Sequence, residues 1–353
     1  KIDLYRGTGV VCGEHLVKVM PGEEEVTADY ILLAAGSEPS SLPIPGMDLP
    51  GVKNSTQMLE EECVPDRLVI IGGGVIGMEF ATVYNDLGCQ VTVLEAMDKI
   101  LPGMDKEISQ NLKMIMKKRG VDIHTGAMVS SVEKIGDGTY LCRYTEKEKK
   151  CEATAALILS SVGRRPLSRG LFSEDMQERI EMERGRVLVN ERYETSVPGI
   201  YAIGDLIGGV CLAHVAAAEG CQAASAMFPE LKGKDMTVIP SCVYTDPEIA
   251  CAGLTADEAK AAGIDTATGK YIMSVNGKSV LSMQDRGFLK IVSEKETGRI
   301  LGAQLMCARA TDMIGELELA ISKRLTAEDL AAVIMPHPTF CEGIGEAAES
   351  ILM

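Results

Sequence analysis

Three glycines in the run Gly72-Gly73-Gly74-Val75-Ile76-Gly77 stand at the G-x-G-x-x-G spacing. The run directly follows an apolar strand, Val69–Ile71, and opens an apolar-rich helix, Val75–Leu87. In that context the first glycine permits a tight turn, the second lets backbone approach a pyrophosphate, and the third lets helix and strand pack closely. The pyrophosphate rests on the helix N-terminus, where free N–H groups and the helix dipole favour negative charge. Glu95 follows a second strand, Gln90–Leu94. An acid about 20 residues beyond the glycines accepts hydrogen bonds from adenosine ribose hydroxyls and repels a 2′-phosphate, so the pattern favours NAD over NADP. Further on, Gly204-Asp205 follows the strand Gly199–Ile203. A carboxylate at the carboxyl end of a strand can hold a ligand hydroxyl while glycine permits close approach. Taken alone, Asp205 reads equally well as a helix cap.

The elements that must position these groups change character along the chain. Residues 1–40 read as extended pieces, Lys1–Tyr5, Val10–Cys12, Leu16–Met20 and Tyr30–Ala35, separated by turn signals such as Pro21-Gly22. A connector rich in Pro and Gly runs from Pro39 to Gly51. From Leu68 onward strand, glycine turn, helix and strand alternate: Asp105–Arg119 is an amphipathic helix ended by Gly120, and Val121–Thr125 and Leu157–Val162 are strands. That alternation predicts a parallel sheet covered by helices. An Ala-rich helix, Val215–Met227, follows Asp205. Beyond Pro240 the segments Cys242–Tyr244, Tyr271–Ser274, Phe288–Val292 and Ile300–Met306 read as antiparallel strands, followed by a helix over Thr311–Lys323. This is an α+β unit distinct from the first sheet.

Composition narrows the classes. The 353 residues suffice for two or three domains, and no apolar run approaches the roughly 20 residues of a membrane span. A formal charge of −16 argues against nucleic-acid and anionic-membrane partners. The basic stretch Lys113–Arg119 reads as the solvated face of a helix. The eleven cysteines are scattered without a C-x-x-C pair and read as buried free thiols in a reducing, cytoplasmic setting. No metal site is expected.

On these residues the chain resembles the pyridine nucleotide–disulfide oxidoreductases over essentially its whole length. Leu33-Ala34-Ala35-Gly36-Ser37-Glu38-Pro39 is similar to the segment leading from that family's FAD domain into its NAD domain. Gly77-Met78-Glu79-Phe80 resembles a G-x-E stretch whose acid lies near the nicotinamide, and Gly163-Arg164-Arg165-Pro166 resembles the turn ending the NAD domain. Tyr201-Ala202-Ile203-Gly204-Asp205 resembles the second FAD motif, whose Asp bonds the ribityl chain, and Leu212-Ala213-His214 resembles a stretch supporting the isoalloxazine through its backbone. The His214 ring itself reads as structural. The resemblance implies an α/β fold: a Rossmann-like NAD domain (61–186) inserted in an FAD domain represented by 1–60 and 187–236, and an α+β dimerisation domain (237–353). It implies FAD and NAD as cofactors. The implied NAD residues are Gly72, Gly73, Gly74, Val75, Ile76, Gly77, Glu79, Glu95, Val129 and Gly163. The implied FAD residues are Ala35, Gly36, Ser37, Gly204, Asp205, Cys211, Leu212, Ala213 and His214.

The last domain narrows the resemblance. Thr245-Asp246-Pro247-Glu248-Ile249-Ala250, with Gly253-Leu254-Thr255, resembles the opening of the family's dimerisation domain, and His337-Pro338-Thr339-Phe340-Cys341-Glu342 resembles H-P-T-x-S-E with Cys341 in place of Ser. Together with Glu95, this ending points to the dihydrolipoamide-oxidising branch. That branch acts as a homodimer on the lipoyl domain of a 2-oxo acid dehydrogenase or glycine cleavage complex. Electrons would pass from the dithiol to a redox disulfide, to FAD and to NAD, with His337 as the base for the substrate thiol and Glu342 orienting it. No two cysteines stand at the C-x-x-x-x-C spacing of the redox pair, so that pair and the first FAD fingerprint are expected upstream. A related disulfide, persulfide or quinone reductase, and a catalytically silent NAD-binding dimerising fragment, are the alternative readings.

Overall fold

A computed structural model describes residues 2–22, 24–136 and 138–353. The expected extended piece Lys1–Tyr5 forms no strand from Ile2 onward, and Lys1 lies outside the described residues. The chain divides into two compact units. The first comprises 1–40 and 164–236, the second 41–163 and 237–353.

In the first unit, Thr8–Gly13, Leu16–Met20 and Glu24–Thr27 form an antiparallel meander. Ile31–Leu33 pairs in parallel with Ile200–Ala202, which brings residues almost 170 positions apart into one ladder. Ser37–Pro39 pairs antiparallel with Arg164–Pro166. Beneath these ladders Val11, Leu33, Phe172, Met176, Ile200 and Leu206 form the core. The Ala-rich helix runs Ala213–Met227, two residues longer at its start than its apolar pattern suggested.

The second unit holds two five-stranded sheets. One is parallel, in the order Val52–Asn54, Leu157–Ser160, Arg67–Ile71, Gln90–Glu95, Asp122–Thr125. Its central strand, Arg67–Ile71, is flanked on both sides, which explains an unbroken apolar run instead of alternation. The helix Lys106–Lys118 covers one face: Asp105 Oδ1 accepts from Glu107 N–H at 2.8 Å to start it, and Ile108, Leu112, Ile115 and Met116 are buried at helical spacing. The other sheet is antiparallel, ordered Ser241–Val243, Ile249–Gly253, Ile300–Met306, Phe288–Glu294, Thr266–Ile272. The expected strand Tyr271–Ser274 belongs to the longer Thr266–Ile272, and Met273–Val275 turns into a 3-10 helix. The helices Ala310–Ser322 and Glu342–Leu352 pack against this sheet through Ile314, Leu317, Ile344 and Ala347. A three-stranded meander, Ala127–Gly136, Thr139–Glu146 and Lys149–Ala155, completes the unit.

The fold is thus mixed α/β, with a Rossmann-like parallel sheet and an α+β domain. Among the described residues no helix is long and apolar enough to cross a membrane.

Candidate functional site

The glycine turn lies at the carboxyl end of Arg67–Ile71 and feeds the helix Val75–Asp86. Gly72 has φ +105°, and a Cβ there would sit 2.5 Å from Ser161 O. A Cβ on Gly77 would overlap the Gly72 carbonyl oxygen. At Gly74, by contrast, a Cβ would meet nothing within 4 Å, because that position faces an open cleft. The cleft, about 510 Å³, is lined by Gly72, Gly74, Val75, Ile76, Glu95, Val129, Ser161 and Gly163 among others. The helix start carries no side-chain cap bond and no acidic residue in its first turn, so its N–H groups remain available to an anion.

Glu95 is held rigidly in this cleft. Its Oε2 accepts from Gly73 N–H at 2.5 Å, its Oε1 from Met97 N–H at 2.7 Å, and the residue is 7 % exposed. Each oxygen keeps a second lone pair for a ligand hydroxyl. Among the described residues lining the cleft none is Lys or Arg. The arrangement fits an unphosphorylated dinucleotide: an open cradle, an uncapped helix start and a fixed acid. Ser161, which sequence reasoning passed over, donates to the carbonyls of Ile71 and Gly72 at 3.0 Å and holds the turn shut.

Glu79 is not brought to this cleft. Its Oε1 accepts from Tyr244 N–H at 2.9 Å, and burial pushes its carboxyl above the usual carboxylate range.

In the first unit two of the expected FAD residues, Ser37 and Cys211, lie against Asp205. Ser37 Oγ donates to Asp205 Oδ2, and Arg164 clamps Ser37 through Oγ and through its backbone carbonyl, both at 2.7 Å. Ala35 and Gly36 directly precede Ser37, and Gly36 O accepts from Leu167 N–H at 2.9 Å. Glu219, one residue type the sequence offered no reason to single out, is buried and accepts from Gly204 N–H at 2.6 Å. Burial raises its carboxyl, and the charge of Asp205 adds to that. The Cys211 thiol is likewise raised, first by loss of solvent and then by Asp205. Leu212 caps the helix that begins at Ala213 without a side-chain cap bond, no acid stands in its first turn, and His214 is exposed. A bonded acceptor beside an uncapped helix start suits a ligand with hydroxyl and anionic groups, as FAD has.

The third cluster follows the antiparallel sheet. His337 Nδ1 and Glu342 Oε1 are 2.8 Å apart, and the His337 side chain is 77 % exposed. Glu342 Oε2 accepts from Thr339 N–H at 2.7 Å. That bond, and then the one from His337, hold the Glu342 carboxyl below its ordinary range. An ionised carboxylate only accepts, so Nδ1 donates in this contact. Among the described residues no cluster of His, Cys, Asp or Glu is arranged to hold a metal ion.

Comparison with known proteins identifies the family. Residues 1–220 match the pyridine nucleotide-disulphide oxidoreductase family, and residues 239–348 match its dimerisation domain. A dihydrolipoyl dehydrogenase of Bacillus subtilis (strain 168) is 40% identical over 353 residues, covering 99% of this chain and 74% of the relative. One from Geobacillus stearothermophilus is 37% identical over 360 residues, covering 100% and 75%. The HOCl-induced flavoprotein disulfide reductase RclA from Escherichia coli superposes with a TM-score of 0.90 at 27% identity, covering 98% of this chain and 79% of that one. The chain therefore belongs to the pyridine nucleotide-disulphide oxidoreductase family, oxidoreductases that use FAD and NAD(P), and carries that family's dimerisation domain.

Proposed function

We propose that the protein oxidises dihydrolipoamide, presented on the lipoyl domain of a 2-oxo acid dehydrogenase or glycine cleavage complex, and reduces NAD. The His337–Glu342 pair carries this reading, because dithiol oxidation needs a positioned base and a silent NAD-binding module does not. Relatives named dihydrolipoyl dehydrogenase support it. Bound FAD supplies the two-electron carrier between dithiol and nicotinamide. A substrate thiol that meets His337 Nε2 loses its proton there and becomes the reactive thiolate. Glu342 holds the ring in one tautomer and stabilises the imidazolium that results.

The glycine turn, Glu95, Val129 and Gly163 would hold NAD, with Glu79 serving the nicotinamide end. Ala35, Gly36, Ser37, Gly204, Asp205 and the segment Cys211-Leu212-Ala213-His214 would hold FAD. The relay also needs a redox disulfide, and no pair among the eleven cysteines has the C-x-x-x-x-C spacing. All eleven are free thiols, which goes with a cytoplasmic setting. The domain division we propose is 1–60 and 187–236 for FAD, 61–186 for NAD and 237–353 for the dimer.

The test is His337→Gln in the holoenzyme. Dihydrolipoamide-dependent NAD reduction should fall by ~100-fold or more, as for a lost acid–base group, with NAD affinity unchanged. Turnover near that of the parent would overturn the reading.

A further inference from the structure

The segment that carries His337 and leads into the helix starting at Glu342 is tethered from a distant part of the sequence. Asn276 lies 63 residues before Thr339, is 2 % exposed, and donates from Nδ2 to Thr339 O at 3.1 Å. Its Oδ1 is already engaged, accepting from Ser279 N–H at 2.9 Å and from Ser279 Oγ at 3.0 Å. With its oxygen committed to Ser279, the amide can turn only its nitrogen toward the loop, so the donor direction is set by the short helix Gly277–Leu281 that Asn276 caps. Thr339 in turn gives its own N–H to Glu342 Oε2, and its hydroxyl donates to Pro336 O at 2.7 Å. Glu342 Oε1 then meets His337 Nδ1. The neighbouring Gly277 borders the ring itself: a Cβ there would lie 4.0 Å from His337 Cε1.

We infer that Asn276 is a positioning residue for the His337–Glu342 pair, acting through the Thr339 backbone. This rests on the acid–base reading of that pair. The physical basis is a series of buried or half-buried hydrogen bonds, each anchoring the next: Ser279 fixes the Asn276 amide, Asn276 fixes the Thr339 carbonyl, and the Thr339 N–H fixes the Glu342 carboxylate. The ring is mostly exposed, so its orientation rests chiefly on this series. Loss of the Nδ2 donor leaves the Thr339 carbonyl free to rotate and lets Glu342 and His337 part.

Asn276→Asp tests this, because it keeps an oxygen for Ser279 and removes the donor. Asn276→Ser keeps a capping oxygen for the helix start, places its hydroxyl too far back to reach Thr339 O, and serves if the first variant does not fold. Both are measured in the holoenzyme by dihydrolipoamide-dependent NAD reduction and by long-range 1H–15N spectra of labelled imidazoles. The chain has four histidines, and the signal lost in His337→Gln identifies the one of interest. The expected result is a kcat lower by about 10- to 100-fold, the scale of a misplaced catalytic group, with KM for dihydrolipoamide little changed. The His337 signal should shift from one tautomer toward a mixture. A parent-like kcat and tautomer overturns the inference, and so does a lower kcat with an unchanged tautomer, which would assign Asn276 a purely structural role. If His337→Gln itself keeps parent turnover, the acid–base reading falls and this inference falls with it. If His337→Gln is inactive while both Asn276 variants behave as the parent, only the positioning role is lost.

Discussion

Glu95 Oε2 accepts the Gly73 N–H at 2.5 Å, so the acid that ends one strand and the turn that ends its neighbour are locked to each other. The same carboxylate also accepts from Met97 N–H. Glu95 is therefore part of the turn as well as part of the cleft wall. Replacing it with Ala leaves the buried Gly73 N–H without its acceptor, at a cost of about 1–3 kcal/mol, whereas the N–H of exposed Met97 can turn to water. Glu95→Ala should both weaken NAD binding and lower the unfolding midpoint. Adding Ala96→Arg, on the cleft wall beside it, should move the NADP/NAD preference by about 10-fold or more, the scale of one charge-assisted contact. Unchanged selectivity in the double variant, measured by titration of both dinucleotides, would remove Glu95 from the ribose site.

The glycines make separable predictions. Gly77→Ala forces its Cβ into the Gly72 carbonyl, so this variant should be destabilised by a few kcal/mol, roughly the cost of overpacking. Gly74→Ala meets no atom within 4 Å and should fold with a parent-like melting temperature. Its methyl group projects where the cleft is open, so NAD affinity should fall while FAD retention does not. Equal effects of the two substitutions on stability would contradict the geometry.

Lys290 is 8 % exposed and lies 2.7 Å from Asp105 and 3.2 Å from Glu107, which ties the antiparallel sheet to the start of the helix Lys106–Lys118. Burial alone would raise the Asp105 carboxyl, but hydrogen bonds from Lys290 and from Glu107 N–H leave it lowered. Glu107 is lowered in the same way, by Lys270 and Lys290 against burial. A carboxyl whose folded pKa is depressed contributes stability above its unfolded value, about 3.9 for Asp and 4.3 for Glu, and that stability is lost as pH falls through the folded value. Acid unfolding followed by circular dichroism should therefore steepen below about pH 4. Lys290→Met leaves Asp105 buried without its cation and should cost about 3 kcal/mol near neutral pH, with a flatter acid limb. A parent-like acid limb in that variant would show that the pair contributes nothing to the pH dependence.

Asp205 depends on Ser37, which Arg164 clamps from two sides. Asp205→Ala should abolish retention of visible flavin absorbance after incubation with FAD and desalting. Arg164→Met should reduce it, since Ser37 then has no fixed direction for its hydroxyl. NAD affinity, read by titration, should be unaffected in both. Full flavin bands in Asp205→Ala would exclude it from the FAD site.

Local order and periodicity alone account for much of what the residues revealed. The G-x-G-x-x-G turn, its flanking strand and helix, and Glu95 at the next strand end were legible because they form one contiguous unit whose apolar periods switch from strand to helix. His337 and Glu342 were legible as a pair through the resemblance of 337–342 to H-P-T-x-S-E, and their side chains lie 2.8 Å apart. The meander spanning Ala127–Ala155 left no comparable mark. Its strands mix Lys, Glu, Arg and Thr with apolar residues, and the two outer ones leave more than half of their residues exposed. The sequence by itself thus determined the chemistry on offer and the class of fold, since glycine, carboxylate and imidazole have properties that do not depend on distant neighbours. Only the tertiary structure decided which groups support them. Glu219 reaches Gly204, Arg164 reaches Ser37, Glu79 turns to Tyr244 and Asn276 reaches Thr339 across 15 to 165 residues of chain. Such hydrogen bonds depend on where separate strands and helices come to lie after the core has packed, and no local spacing encodes that.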